Sequence, residues 1–399
     1  GATPSTVITG GTFTSTLKGW RGTILNHDGA GSAGCTKVSG GVFNMKVDES
    51  YCADRYIPTQ NEDGTYGVQE AMKGSKKNPY TLAELSVMTR DEYIAAQEAL
   101  GGTMYVEIGN YSYDTHGVLG NGKRDDTTGQ KPDHSMLNSY GENGYLGEGN
   151  DGANGKNIIF VGGSITSGVT GYASIDNIGT SLLLAVPAYT NVTFEGVTFN
   201  NVMSFNYQLY TSPWSQLGDL KFSGCKFNGL IVGAIAAQTL TFDGCEFTNY
   251  TNQSGANNSN PTWIRPAYGN WTKGDNEGQG EGFRSLTTIN FTNNTVTSTR
   301  PVKFERIAQW EMDTTVTVTG NDFDIVSDGT SKNVGLYFGA NAKFDLVVDD
   351  NKKTDGTAAL YTAVYSAPNK ANYAGLPAGS TVKDADGNDV EVAGVIWKS

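Results

Sequence analysis

A nine-residue phrase recurs through the middle of this chain, with apolar and polar positions in the same phase each time. It stands at residues 157–165 (NIIFVGGSI), 191–199 (NVTFEGVTF), 219–227 (DLKFSGCKF), 239–247 (TLTFDGCEF), 288–296 (TINFTNNTV) and 315–323 (TVTVTGNDF). Each copy reads apolar-x-apolar, a two-residue polar or glycine break, then a short apolar return. Side chains alternate faces along a strand, so the phrase predicts two short strands joined by a sharp bend. Copies begin 34, 28, 20, 49 and 27 residues apart. The shortest step defines a rung, and the longer steps are rungs with inserted loops.

Up-and-down hairpins would vary in phase and carry Asn-Gly or Asp-Gly turns between strands. One bend per rung, always in phase, instead predicts an all-β coil of parallel strands stacked rung on rung. A third strand per rung is expected at 202–207, 230–236, 263–265, 301–307 and 334–338. The bend holds Val197, Cys225, Cys245, Asn294, Asn321 and, in a weaker copy at 346–353, Asn351. An apolar stack thus gives way to asparagines, whose amides can bond along the coil axis and tolerate left-handed backbone.

Two further copies, at 6–13 (TVITGGTF) and 36–43 (TKVSGGVF), lie 30 residues apart near the start. Hairpin chemistry follows at 61–68, so residues 1–72 read as the end of a first β-helix-like module. The Lys-bearing stretch 73–78 reads as a linker, and 78–399 as the main domain. Thr89 with Glu92 predicts a capping box opening a helix over about 90–100, stopped by Gly101. That helix would cover the open end of the coil, where bare strand edges invite aggregation. A first strand is expected at 103–108, a long loop at 110–154, rungs over about 103–353, and a closing segment at 354–399 with a turn at Asp386-Gly387-Asn388. The chain enters its strand pattern at Thr6 without a leader, which reads as a piece of a longer protein.

Composition supports the β reading and narrows the partners. The 399 residues include 52 Gly and 11 Pro, with 17% charged and 37% hydrophobic, which excludes coiled coil and collagen. Lys and Arg number 28 against 41 Asp and Glu, a net charge of −13. That sign repels phosphate, so neither nucleic acid nor an anionic membrane surface is an expected partner. No apolar run approaches the ~20 residues of a membrane helix. Four cysteines (Cys35, Cys52, Cys225, Cys245) are too few for a disulfide framework. Cys225 and Cys245 fall at one bend position in successive rungs, either as a disulfide or as two reduced thiols in the core.

The segment Ser39-Gly40-Gly41-Val42-Phe43, followed by Ala53-Asp54-Arg55-Tyr56 and Asp63-Gly64-Thr65-Tyr66, resembles repeat modules of large surface proteins of Gram-positive anaerobic bacteria. Residues 81–113, with a helix, Gly-Gly and a strand, resemble the start of a pectin-lyase-like right-handed parallel β-helix. The resemblance implies an extracellular, surface-attached protein. It implies no reaction, because that fold hosts pectate lyases, polygalacturonases, phage tailspikes and adhesins.

Candidate chemistry is sparse. The Asp clusters of pectinase-type enzymes have no close match. Asp125-Asp126 and Asp384-x-Asp386-Gly387-Asn388 read as turns, the latter lacking the frame of a calcium loop. His27, His116 and His134 lack metal-ligand spacing, so no metal and no cofactor is expected. One region stands out. Trp263, Arg265, Lys303, Glu305 and Tyr337 fall on the predicted third strands, with Trp271 and Trp310 in the intervening sequence. Aromatic faces pack on sugar rings, while charges and amides bind hydroxyls, so these seven residues form the candidate glycan site. The leading expectation is a non-catalytic module of a bacterial surface protein, an adhesin or glycan-binding element. The alternative is a polysaccharide lyase or glycoside hydrolase using Glu305 with Arg265 or Arg306.

Overall fold

The computed structural model describes residues 6–16, 36–88, 90–114, 117–120, 123–124, 132–133, 156–168, 181–185, 190–202, 204–205, 217–229, 231–235, 237–248, 262–266, 288–298, 302–304, 314–325, 334–338, 344–353, 360–363 and 381–383. The chain forms two compact units. One comprises Gly1–Tyr80 with Glu98–Tyr105, the other Thr81–Gln97 with Val106–Ser399.

In the larger unit the repeated phrases stack as expected. A first sheet runs through Asn157–Val161, Asn191–Glu195, Leu217–Ser223, Ala237–Asp243, Thr288–Thr292, Thr314–Thr319, Phe344–Asp349 and Thr381–Lys383, each parallel to the next. A second sheet, also parallel, runs through Asn110–Tyr113, Ser164–Ser167, Thr198–Asn200, Lys226–Asn228, Glu246–Thr248, Thr295–Ser298, Asp322–Ile325 and Lys352–Lys353. A third joins Ile231–Ile235, Thr262–Pro266, Val302–Phe304, Val334–Phe338 and Leu360–Ala363. Parallel neighbours that follow one another in sequence make this an all-β parallel β-helix.

The register puts like over like. Phe160, Phe194, Phe222, Phe242 and Phe291 pair in one row of the first sheet, and all are fully buried. Their rings stack face to face from Phe160 to Phe242, at 4.8–5.3 Å between centroids. A second column, Phe199–Phe227–Phe247, stacks at 4.8–4.9 Å and meets the first edge-on. Offset stacks and edge contacts both suit the ring quadrupole and add to the area buried.

The bend between the first two sheets always takes two residues. The first is left-handed at Gly162, Gly196, Gly224, Gly244, Asn293, Gly320 and Asp350 (φ +49 to +68°). The second holds the column of Val197, Cys225, Cys245, Asn294, Asn321 and Asn351, all buried. Left-handed backbone therefore falls one residue before the ladder asparagines, not on them. Their amides run along the axis as expected. Asn321 Nδ2 donates to Phe291 O at 2.9 Å, and its Oδ1 accepts the Asn294 N–H at 2.8 Å. Asn294 and Asn351 repeat both contacts, to Phe242 O and Cys245 N–H, and to Val318 O and Asn321 N–H.

Cys225 and Cys245 are free thiols that continue this ladder. Their Sγ atoms donate to Phe194 O and Phe222 O at 3.3 and 3.4 Å, the carbonyl position that asparagine Nδ2 serves in later rungs. The Cys225 thiol beside it, together with burial, raises the Cys245 thiol well above the ordinary range, so it stays protonated.

Two expectations are corrected, the loop at 110–154 and the linker at 73–78. The loop at 110–154 contains strands Asn110–Tyr113, Gly117–Gly120, Lys123–Arg124 and Pro132–Asp133. The first of these belongs to the second sheet, which the irregular polar sequence disguises. The third strand expected at 202–207 is present as Ser204–Phe205, in a parallel sheet with Gly117–Gly120 and Ser181–Ala185. The segment 73–78 is a tight turn, not a linker: Gly74 N donates to Asn78 O, and Asn78 is buried with Nδ2 on Ala71 O. Strands Leu360–Ala363 and Thr381–Lys383, within the segment expected to close the coil, pair parallel with Val334–Phe338 and Phe344–Asp349.

The helix Arg90–Ala99 forms, and a second helix, Leu82–Val87, precedes it. The latter carries a complete capping box, Thr81 Oγ1 accepting from Glu84 N and the Glu84 carboxylate accepting from Thr81 N. Thr81→Ala removes the hydroxyl half, leaves the backbone N–H of residue 81 on the Glu84 carboxylate, and is expected to cost about 1 kcal/mol, read as a shift in urea midpoint with unchanged slope. On the longer helix, Gln97 bridges Tyr93 Oη and Asn157 O. Burial pushes the Tyr93 hydroxyl up to about 12.

The smaller unit repeats the plan in brief. Thr6–Ile8 lies parallel to Thr36–Val38, and Thr12–Phe13 to Val42–Phe43. The expected hairpin, Tyr56–Gln60 with Tyr66–Glu70, then pairs antiparallel against Val42–Phe43.

Candidate functional site

The third sheet positions the aromatic and cationic candidates. Its register pairs Val232 with Trp263, Trp263 with Lys303, Lys303 with Tyr337, and Tyr337 with Thr362. Three residues chosen from sequence thus occupy one row on successive rungs. The adjacent row, Gly233–Ile264–Phe304–Phe338–Ala363, is apolar. The two rows occupy successive positions along each strand. Arg265, paired with Ala234, stands two residues along from Trp263.

With neighbouring strands ~4.8 Å apart, Trp263 and Tyr337 stand roughly 10 Å apart, with Lys303 midway. The row offers aromatic, cation, aromatic, then hydroxyl in the order of the rungs. Compared with known families, curated proteins and solved structures, the chain matches no family model, no curated protein and no solved structure. The reading of the site therefore rests on its residues alone.

Glu305, Arg306, Trp271 and Trp310 lie outside the described residues, as do His27, His116, His134, Asp125, Asp126 and the 384–388 turn. Of the catalytic candidates, only Arg265 is placed. Among the described residues, no group of three or more His, Cys, Asp or Glu is arranged to hold a metal ion. No described helix is long and apolar enough to cross a membrane.

The other two sheets carry polar ladders that sequence reasoning missed. On the second, Asn228 Nδ2 donates to Asn200 Oδ1 at 2.9 Å, Asn200 Nδ2 to Thr166 Oγ1 at 3.1 Å, and Thr248 Oγ1 to Asn228 Oδ1 at 2.6 Å. On the first, Asn191 Nδ2 donates to Asn157 Oδ1, while its Oδ1 accepts from Asp219 N. Beside these, Lys226 and Glu246 form a 2.8 Å surface ion pair. The polar groups of these ladders bond to one another along the axis, whereas the third-sheet row alternates ring and charge. The signal was present in the sequence as Asn at the first position of two copies of the phrase and as Asn or Thr immediately after its last position.

Proposed function

We propose that this protein is a non-catalytic, carbohydrate-binding β-helix module of the pectin-lyase-like kind, carried by an extracellular bacterial surface protein. The row Trp263–Lys303–Tyr337 is the observation that carries the reading. Two aromatic residues two rungs apart offer platforms for sugar rings. Lys303 between them, with Arg265 two residues along from Trp263, supplies hydrogen-bond donors to hydroxyls or carboxylates. The stacked rungs hold this spacing with backbone hydrogen bonds, so little ordering accompanies binding.

A glycan array followed by calorimetry on the best ligand tests the proposal. Trp263→Ala and Tyr337→Ala are each expected to weaken binding more than tenfold, about 1.4 kcal/mol, with circular dichroism unchanged. Lys226→Ala, in the second sheet, should bind as the parent does. Equal binding by all three variants, or no glycan bound at all, overturns the site. Release of unsaturated products or reducing ends from a bound polysaccharide, lost in Glu305→Ala, would replace it with the lyase or hydrolase reading.

A further inference from the structure

The first rung of the smaller unit presents an open edge whose sequence fits a neighbour. Among the described residues, Thr6–Ile8 is paired on one side only, with Thr36–Val38, and Thr12–Phe13 is the outermost strand of its sheet. One rung inward, the N–H groups of Ser39, Val42 and Asn44 donate to Ile8 O, Gly11 O and Phe13 O at 2.8, 2.8 and 3.2 Å. Thr9, Thr12 and Thr14 hold the same places 30 residues earlier. By the repeat, their N–H groups face away from the second rung, in a row of three donors. Phe13 stacks on Phe43 at 5.0 Å, yet Phe43 is fully buried and Phe13 only half. Ile8 is likewise half-buried where its partner Val38 is fully buried.

Gly10 is the telling residue. Its neighbour Gly11 is left-handed (φ +106°) and so explains itself. Gly10 is not left-handed, and a Cβ there would meet nothing within 4 Å. At Gly40, the same place one rung on, a Cβ would collide with Thr9 O. Glycine at 40 is therefore imposed by the rung stacked on it. Glycine at 10 costs backbone entropy with no compensating contact among the described residues.

We propose that this edge is a docking surface for a further rung of the same type, an alternating strand, a Gly-Gly bend and an aromatic return. Such a rung supplies three carbonyls to the waiting N–H groups. Its carbonyl lies against Gly10 as Thr9 O lies against Gly40, and its ring covers Phe13. A second copy of this unit does not offer that surface at its other end, where the hairpin Tyr56–Gln60 and Tyr66–Glu70 is antiparallel. The proposal is independent of the glycan reading.

The test extends the full chain by duplicating residues 6–35 ahead of Thr6 and follows amide hydrogen exchange. The added rung and the amides of Thr9, Thr12 and Thr14 are expected to gain more than about tenfold protection over the unextended protein. Gly10→Ala in the original rung should abolish that gain, yet leave the melting of the unextended chain unchanged or slightly raised. Gly40→Ala should destabilise both forms. The proposal falls if the added rung exchanges like unstructured chain, or if it docks equally well when the original rung carries Gly10→Ala. It falls too if the unextended protein already protects this edge, through its own residues 17–35 or through concentration-dependent pairing of two copies.

Discussion

Phe222→Ala is expected to lower stability by about 3–5 kcal/mol, measured by urea denaturation. The ring is fully buried and sits between Phe194 and Phe242 at 5.3 and 4.8 Å, with interplanar angles of 7° and 8°. Phe199 and Phe227 meet it edge-on. Its removal opens a cavity between two rungs held at fixed separation by their backbone bonds, so neighbours cannot collapse into it. Phe291→Ala should cost less. Its ring is tilted 57° to Phe242, and the following rung presents Val318 rather than another ring. A loss under about 1 kcal/mol for Phe222 would contradict the packed column.

Asn321→Ala is expected to cost about 2–6 kcal/mol, because it strands two buried groups at about 1–3 kcal/mol each. The Asn294 N–H loses its acceptor and Phe291 O loses its side-chain donor. Asn321→Cys should be milder, since Cys245 already shows a thiol donating to the equivalent carbonyl, Phe222 O. The check is the urea midpoint of the two variants side by side. Equal losses would mean that volume, not hydrogen bonding, sets the residue at this bend.

The coil was legible because its evidence is periodic. Phase-locked phenylalanines at 194, 222 and 242 predict one internal column, and a bend that changes from Val197 through Cys225 to Asn294 predicts an axial ladder. Gly117–Gly120 and Ser181–Ala185 escaped because their strands pair outside the repeated phrase. The capping box at Thr81 and Glu84 was readable from spacing alone, but the stronger-looking helix at 90–99 drew attention from it. The candidate site was legible only as a register: alternation and rung length suffice to align Trp263 with Lys303 and Tyr337. Gly10 and Gly40 look identical in sequence, and only the atoms around each separate them.

Among the described residues the two-residue corner never changes, while steps between equivalent residues range from 20 to 49 along the chain. All length variation is therefore exported to the other two corners. Foreign peptides spliced between the second sheet and the third should leave the frame intact, which makes the molecule a ready armature for displaying unrelated sequences.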